Sequence, residues 1–479
     1  MVTAARTRSG RGGRRRRAAW TAGALVALAV AVRLPALWSA RHLGFDDGVY
    51  GVSVLGMRAG QRPFEDLFSP QGPLHLPLLW LGDLLGLRTA NSPRVASVAA
   101  GVAATLAAWR AGRHLGPPAG ATLAAALVAT TGSMLWTTGP ITGDGIANAF
   151  ALTAVWAALA HRERPAAARA VAVGLAMGAA VSVKSIVVLA AIPVGWYLWS
   201  SRRAGHFALA VATSVGVGLA ATLPFGFDRV WEQSVAYHRD SEYLYGPAAQ
   251  AWKLVTTLGA RDLPLLAVLA LGLVAAARAA PGAPARRFDA DTAVLVAWFV
   301  AACAFLVLEP TMFRNHIAMV IGPLALLVAM RPPPLRWAAA TLLLAAPWWA
   351  GHLGAVLWPR DYRGQEAALV RELRALPAGT AVISDEPGFA WRAGHPAPPW
   401  LNDASVKRVR QGSITVGLIA EAAARPDTCA VVVWSRRYGA ELPGLPEALA
   451  DAGYVVAATF GGDTGVGPRT LYVDPACAP

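Results

Sequence analysis

Residues 14–38 read RRRRAAWTAGALVALAVAVRLPALW, four consecutive arginines followed directly by an apolar stretch whose one charge is Arg33. A helix needs roughly 20 apolar residues to cross the ~30 Å hydrocarbon core of a bilayer, so residues 18–38 are predicted to span a membrane. A basic run before an apolar segment also opens cleaved signal peptides. This apolar segment is long, however, and no small-residue cleavage site precedes the next motif, so it is read as a retained first helix.

The rest of the chain extends the pattern. Of its 479 residues 55% are hydrophobic and only 15% charged, more apolar than a soluble domain normally is. The apolar residues fall into blocks at 18–38, 94–110, 118–136, 142–160, 168–183, 185–200, 206–223, 263–278, 291–308, 316–330 and 337–357, which predicts a mainly α, polytopic helical membrane protein with about eleven spans. The formal charge of +15 does not point to nucleic acid. Seven arginines lie in the first 17 residues, and others sit in short loops: Arg110/Arg113, Arg162/Arg164, Arg202/Arg203, Arg278/Arg286/Arg287 and Arg331/Arg336. If residues 1–17 are cytoplasmic, each of these alternating loops is basic, as the positive-inside rule asks. The odd number of spans then puts the C-terminus outside the cytoplasmic membrane.

Two outer loops, 39–93 and 224–262, are much longer than the others, and long connections usually have a job. The first contains Pro73–Leu87, too short to span and interrupted by His75 and Asp83, hence an interfacial or re-entrant helix. The second carries Trp231, Tyr237, His238, Arg239, Tyr243, Tyr245 and Trp252, which suit either an interfacial aromatic belt or a substrate-contacting surface. The transmembrane region is taken as 18–358. From about Tyr362 charges return, and β-rich runs (381–383, 430–434, 454–460, 470–473) alternate with helix-like stretches (364–375, 415–424), so 359–479 is predicted to be a small extracytoplasmic α/β domain. The three cysteines have no metal-type spacing. Cys303 falls in a span, whereas Cys429 and Cys477 both fall in the outer domain, where a disulfide could persist.

The chemistry-bearing residues gather on the outer side of this topology. Asp46 and Asp47 follow the first span in GFDDGVY (44–50), where acids beside a bilayer are either solvated loop residues or functional ones. A dense polar loop follows, with GQRPFED at 60–66 and SPQGPLH at 69–75. Asp144 in TGDG (142–145) suits a substrate hydroxyl, a shared divalent cation, or plain helix N-capping. Lys184, one of only three lysines, interrupts an apolar stretch and either needs a buried partner or snorkels from a helix end. Arg314 and His316 precede a late span, where a helix-end or headgroup contact is the plain reading, and His75 either meets substrate or anchors its helix.

In order along the chain, Arg33, Asp46-Asp47 with Tyr50, the turn Gly60-x-x-Pro63-Phe64-x-Asp66, the proline-rich stretch ending at His75, Arg94, Asp144, Lys184 and Arg314/His316 resemble the GT-C class of membrane glycosyltransferases. The resemblance is to the branch that holds protein O-mannosyltransferases and lipid A aminoarabinose transferases, and it covers nearly the whole membrane region. It implies a polyprenyl-phosphate sugar as donor and a glycan, lipid or protein acceptor entering from outside. It further implies Asp46 as catalytic base with Asp47 in support, and Tyr50, His75, Asp144, Lys184, Arg314 and His316 as substrate-binding residues. A base must take the acceptor proton and the departing phosphate must be neutralised, by cationic side chains or by Mg²⁺ or Mn²⁺. Too few ligands can be named to predict a metal site. A multi-pass transporter or flippase of lipid-linked precursors is the rival, but such proteins place polar groups at mid-membrane on broken helices, whereas here they cluster at one surface.

Overall fold

The structure is a computed structural model that describes residues 3–241, 245–278, 289–357, 364–461 and 468–477, with side chains from Arg16 onward. Tyr243, Arg286, Arg287, Tyr362 and the side chains of the arginines up to Arg15 lie outside the described residues, as does the predicted boundary at 358/359.

Each of the eleven apolar blocks is helical, but the helices are not uniform. Six are long and apolar enough to cross a membrane: Arg16–Trp38, Ser92–Leu115, Gly143–Glu163, Ala204–Thr222, Pro247–Arg278 and Ala290–Leu308. Two further blocks are helix pairs, Pro118–Thr130 with Gly132–Thr138 and Leu335–Leu344 with Ala346–Val356, bent by 56° and 42°. The remaining three, Ala167–Val183, Ser185–Trp199 and Arg314–Met330, are shorter. The last two begin as 3₁₀ turns at Ser185–Ala190 and Arg314–Val320. Broken or irregular backbone at membrane depth persists only where protein or a cavity satisfies its polar groups, and both 3₁₀ turns border the cavity described below. The short apolar stretch after Pro73 forms a helix at His75–Leu85, as its length predicts.

Polar contacts sort to two ends of the bundle. At one end Arg162 pairs with Asp291 at 2.5 Å, His114 with Glu163 at 2.6 Å, and the His161 and His206 rings meet edge to face. At the other lie the starts of Phe45–Arg58, Gly143–Glu163 and Arg314–Val320, together with the C-terminal residues. Between the ends the packing is close and depends on small residues. A Cβ on Gly112, Gly116 or Gly120 would meet residues 121 and 329–332 at 3.1 Å or less, and one on Gly174 or Gly178 would meet the helix Ala204–Thr222 at 2.4–2.6 Å. That helix otherwise buries little of itself, which leaves its apolar face to lipid.

The C-terminal residues build a four-stranded sheet from β1 (Ala381–Ser384), β2 (Thr428–Val433), β3 (Val455–Phe460) and β4 (Arg469–Val473), in the order β1-β2-β4-β3. β1 and β2 run parallel, and the other two pairings are antiparallel. The inner strand β2 is wholly buried, which accounts for its continuous apolar run, while β3 at the edge is mostly exposed. The cysteine pairing that the sequence left open is present: Cys429 in β2 is bonded to Cys477 just beyond β4.

This α/β unit is keyed into the 39–93 loop. The short helix Gly388–Ala393 crosses Phe45–Arg58 so closely that a Cβ on Gly48 would stand 2.4 Å from the Gly388 nitrogen, and one on Gly51 would enter the Trp391 ring at 2.1 Å. Asn402 donates to the Ser53 hydroxyl and to the Phe68 carbonyl and accepts from the Phe68 amide, all at 2.9–3.0 Å. Trp400 donates its amide to Asp66 at 2.7 Å. Gly48 thus serves a backbone-to-backbone crossing and Gly51 makes room for the Trp391 ring. Gly48→Ala is expected to lower stability by ~1–3 kcal/mol through overpacking, whereas Gly23→Ala, with open space at its Cβ, should leave it unchanged or raise it. Thermal unfolding of the two variants in detergent makes the comparison.

Candidate active site

The two acids of the opening motif have different environments. Asp47, in the first turn of Phe45–Arg58, is fully buried and accepts from the Leu43 and Ile141 amides at 2.8 Å each. Arg94 grips it through Nε at 3.1 Å and Nη2 at 2.5 Å. Burial alone would raise the Asp47 carboxyl, but the Arg94 guanidinium overrides it and holds the group below the ordinary value. Asp46, the preceding residue, points elsewhere: it accepts from Asn315 Nδ2 at 3.1 Å and faces a cavity. Burial raises its carboxyl, the positive charge of Lys184 opposes this, and Asp144 adds to it.

That cavity has a volume of about 1270 Å³, above the usual size of small-ligand sites. Of the eight residues singled out in the sequence, Asp46, Asp47, Tyr50, Lys184, Arg314 and His316 line it. Asp144 does not reach the surface but pairs with Lys184 at 2.8 Å, with both side chains buried. Lys184 therefore has the buried partner rather than the snorkelling geometry. Nor is Asp144 the N-cap of its helix: Thr142 fills that place, its hydroxyl accepting from the Gly145 amide, and Asp144 lies in the first turn. His75 also stands behind the wall. Its ring is fully buried, edge-on to the Tyr50 ring at 4.3 Å, and both its nitrogens lack a hydrogen-bond partner among the described residues. Burial, aided by Lys184, holds it down to about 3, so it is neutral. His316 is hydrogen-bonded to Glu309 at 2.9 Å, and Arg314 is exposed at the cavity rim.

The Lys184 turn is placed by the 69–75 loop. The amides of Gly72 and Leu74 donate to Val183 and Ser182 at 3.0 and 2.9 Å, and a Cβ on Gly72 would meet the Ser182 carbonyl at 2.2 Å. From the second long loop Tyr237, His238, Arg239 and Tyr245 line the cavity, whereas Trp231 and Trp252 are exposed, so the loop's residues divide between the cavity wall and the surface.

Several lining residues escaped the sequence reading. Lys253 and Lys407 join Lys184, so all three lysines of the chain meet in this one cavity. Lysine scarcity in an arginine-rich protein was the available signal, and it attached only to Lys184. Asp403, Lys407 and Arg437 come from the C-terminal unit, and nothing local in their sequence marks them. Asn315, Glu309 and Arg261 are further polar neighbours. The other flank is apolar, including Val181, Val215, Leu219, Phe305 and Leu308. Val215, Leu219 and Leu308 are more than half exposed on the bundle's side, so the cavity opens laterally between Ala204–Thr222 and Ala290–Leu308. Among the described residues, no three His, Cys, Asp or Glu side chains gather as a resident cation would need.

No protein-family model matches the chain, and no curated protein matches it. Its fold has solved counterparts. ArnT from Cupriavidus metallidurans in the apo state is similar over 97% of this chain and 99% of its own, with a TM-score of 0.67 at 16% identity. The same protein bound to undecaprenyl phosphate is similar over 95% and 98%, with a TM-score of 0.66 at 16% identity. The archaeal oligosaccharyltransferase AglB from Archaeoglobus fulgidus, in complex with an inhibitory peptide and a dolichol-phosphate, is similar over 95% of this chain and 74% of its own, with a TM-score of 0.52 at 13% identity. Both are GT-C glycosyltransferases, and the GT-C architecture expected from the sequence is the architecture of this chain.

The Asp47–Arg94 pair has a measurable signature. Asp47→Asn leaves a buried guanidinium without its counter-charge and is expected to cost ~3–5 kcal/mol, while the double replacement Asp47→Asn/Arg94→Met should recover part of the loss. Unfolding midpoints of the three proteins in one detergent measure both effects.

Proposed function

We propose that this protein transfers a sugar from a polyprenyl-phosphate donor to an acceptor hydroxyl at the outer face of the cytoplasmic membrane. The observation that carries the proposal is one cavity that joins an unpaired carboxylate-bearing helix start, all three lysines and a laterally open apolar flank. The polyprenyl chain lies along Val215, Leu219 and Leu308, and its phosphate meets Lys184, Lys407, Arg314 and His316. The basic loops at the opposite end of the bundle support placing the Asp46 end outside. ArnT bound to undecaprenyl phosphate shares the fold at low identity, which makes a lipid phosphate the natural ligand class to test.

In the proposed reaction the acceptor oxygen attacks the anomeric carbon and Asp46 takes its proton. The bond from that carbon to the phosphate oxygen breaks, its electron pair leaving with the polyprenyl phosphate, and the anomeric carbon inverts in the single displacement. Asn315 orients the Asp46 carboxylate. Asp47 acts as a positioning residue, because its oxygens are committed to Arg94 and two amides. The cationic side chains neutralise the departing phosphate. Among the described residues no three potential ligands gather to fit a resident divalent cation.

Incubation of the purified protein with a panel of polyprenyl-phosphate sugars and acceptors tests the reading. Absence of transfer from every donor, together with saturable transport of a solute, would replace it with the transporter alternative. Asp46→Asn should cut kcat by 10²-fold or more without loss of fold. A base works only when unprotonated, so turnover should rise with pH through the raised Asp46 value, with the acid limb above the ordinary aspartate value of about 3.9. Transfer should persist in EDTA.

A further inference from the structure

A second cavity, of about 560 Å³, lies between the 224–262 loop and the C-terminal unit. It shares Tyr237 and Lys407 with the first, so the two are neighbours across a common wall. Its lining differs in kind from the apolar flank of the first. Phe68, Tyr237 and Trp400 bring aromatic rings together, with Phe68 5.1 Å from Tyr237 and 6.3 Å from Trp400. Around them stand Glu232, Asp240, Arg408 and Gln411.

Two features mark this cavity as built for a ligand rather than left over from packing. Trp400 is held at φ +66°, a conformation unfavourable for any side chain but glycine, and still leaves 38% of its surface exposed. Its backbone is pinned on both sides, the amide donating to Asp66 at 2.7 Å and the carbonyl accepting from Arg408 Nη1 at 2.5 Å. The strain therefore presents an indole that packing did not require to be there. The Arg408 guanidinium stacks 4.1 Å from the Phe68 ring and is 2% exposed, yet its Nε has no hydrogen-bond partner among the described residues. A buried donor without a partner carries an uncompensated desolvation cost, and this one belongs to a residue that lines the cavity.

A half-exposed aromatic face flanked by carboxylates, an amide and a guanidinium suits a saccharide. Sugar rings present a face of C–H groups that packs on an aromatic ring and a rim of hydroxyls that both donate and accept. We infer that this second cavity is an acceptor subsite for a saccharide, so that the hydroxyl reaching Asp46 belongs to a glycan. The inference rests on the transferase reading above for its role, but the binding it requires can be measured without turnover.

The test uses the full-length protein in detergent and linear trisaccharides of glucose, mannose, N-acetylglucosamine and arabinose, titrated calorimetrically. At least one trisaccharide should bind. Trp400→Ala should weaken it tenfold or more, and Trp400→Phe, which keeps a stacking face, should stay within threefold. If Trp400→Ala does not fold, Gln411→Ala decides by the same tenfold criterion. Binding of none of the four, binding indifferent to the substitution, or displacement of the sugar by a serine-containing peptide that binds more tightly overturns the inference. Release of free sugar from a polyprenyl-phosphate donor by the unaltered protein, assayed without trisaccharide, reports on the first cavity separately. Saccharide binding without any donor turnover would keep the subsite and remove the transferase role.

Discussion

Asp47 and Arg94 are both withdrawn from solvent and joined through two contacts, and the cavity-bearing end of the molecule is arranged around them. Arg94 reaches beyond the carboxylate, donating to the carbonyls of Ala36 and Arg41, while Arg392 of the C-terminal unit donates to that same Arg41 carbonyl at 2.8 Å. The end of the first span, the start of Phe45–Arg58, the head of the next span and the α/β unit therefore converge on one ion pair. Two ions in a low-dielectric site are tolerated only when their remaining polar atoms are also satisfied. The Leu43 and Ile141 amides meet that condition for Asp47. With Asp47 held in this way, the geometry of a helical first turn directs Asp46 away from it and into the cavity.

The cavity is assembled from parts that cannot form it separately. The bundle supplies Asp46, Lys184, Asn315 and the apolar flank, the 224–262 loop supplies Tyr237 and His238, and the α/β unit closes the polar side with Asp403, Lys407 and Arg437. Close approach depends on glycines where backbone meets backbone, Gly48 against Gly388 and Gly72 against Ser182. Such contacts leave no room for a Cβ, which couples the position of the acids and of Lys184 to the docking of distant segments. Lys184 and Asp144 add a second buried pair on the opposite wall, 40 residues apart in sequence. Lys184 is thereby held beside Asp46 with its charge balanced by Asp144, while Lys407 and Arg314 bring further positive charge to the cavity.

Much of this architecture was legible in the chain itself. Apolar blocks of span length, basic loops between them and β-rich runs after them are written in consecutive residues, and hydrocarbon or a sheet core reads those local patterns directly. The eleven helical blocks, the short helix at His75–Leu85, the four strands and the clustering of Asp46, Lys184 and His316 at one end of the bundle all follow from signals of that kind. The bends and 3₁₀ starts of four of those blocks were not visible, because apolar composition says how far a segment can reach and not how its neighbours deform it.

Only the tertiary structure decided which of the polar residues belong together. It divided the Asp46-Asp47 pair into a cavity-facing acid and a buried anchor, gave Lys184 its partner in Asp144, and moved His75 behind Tyr50. It also brought Lys253, Asp403 and Lys407 to the site, and Asn315 to Asp46 across 269 residues. The physical reason is that desolvation and charge pairing act through space between segments placed by the packing of the whole bundle. Hydrophobic periodicity acts along the chain and needs no such knowledge.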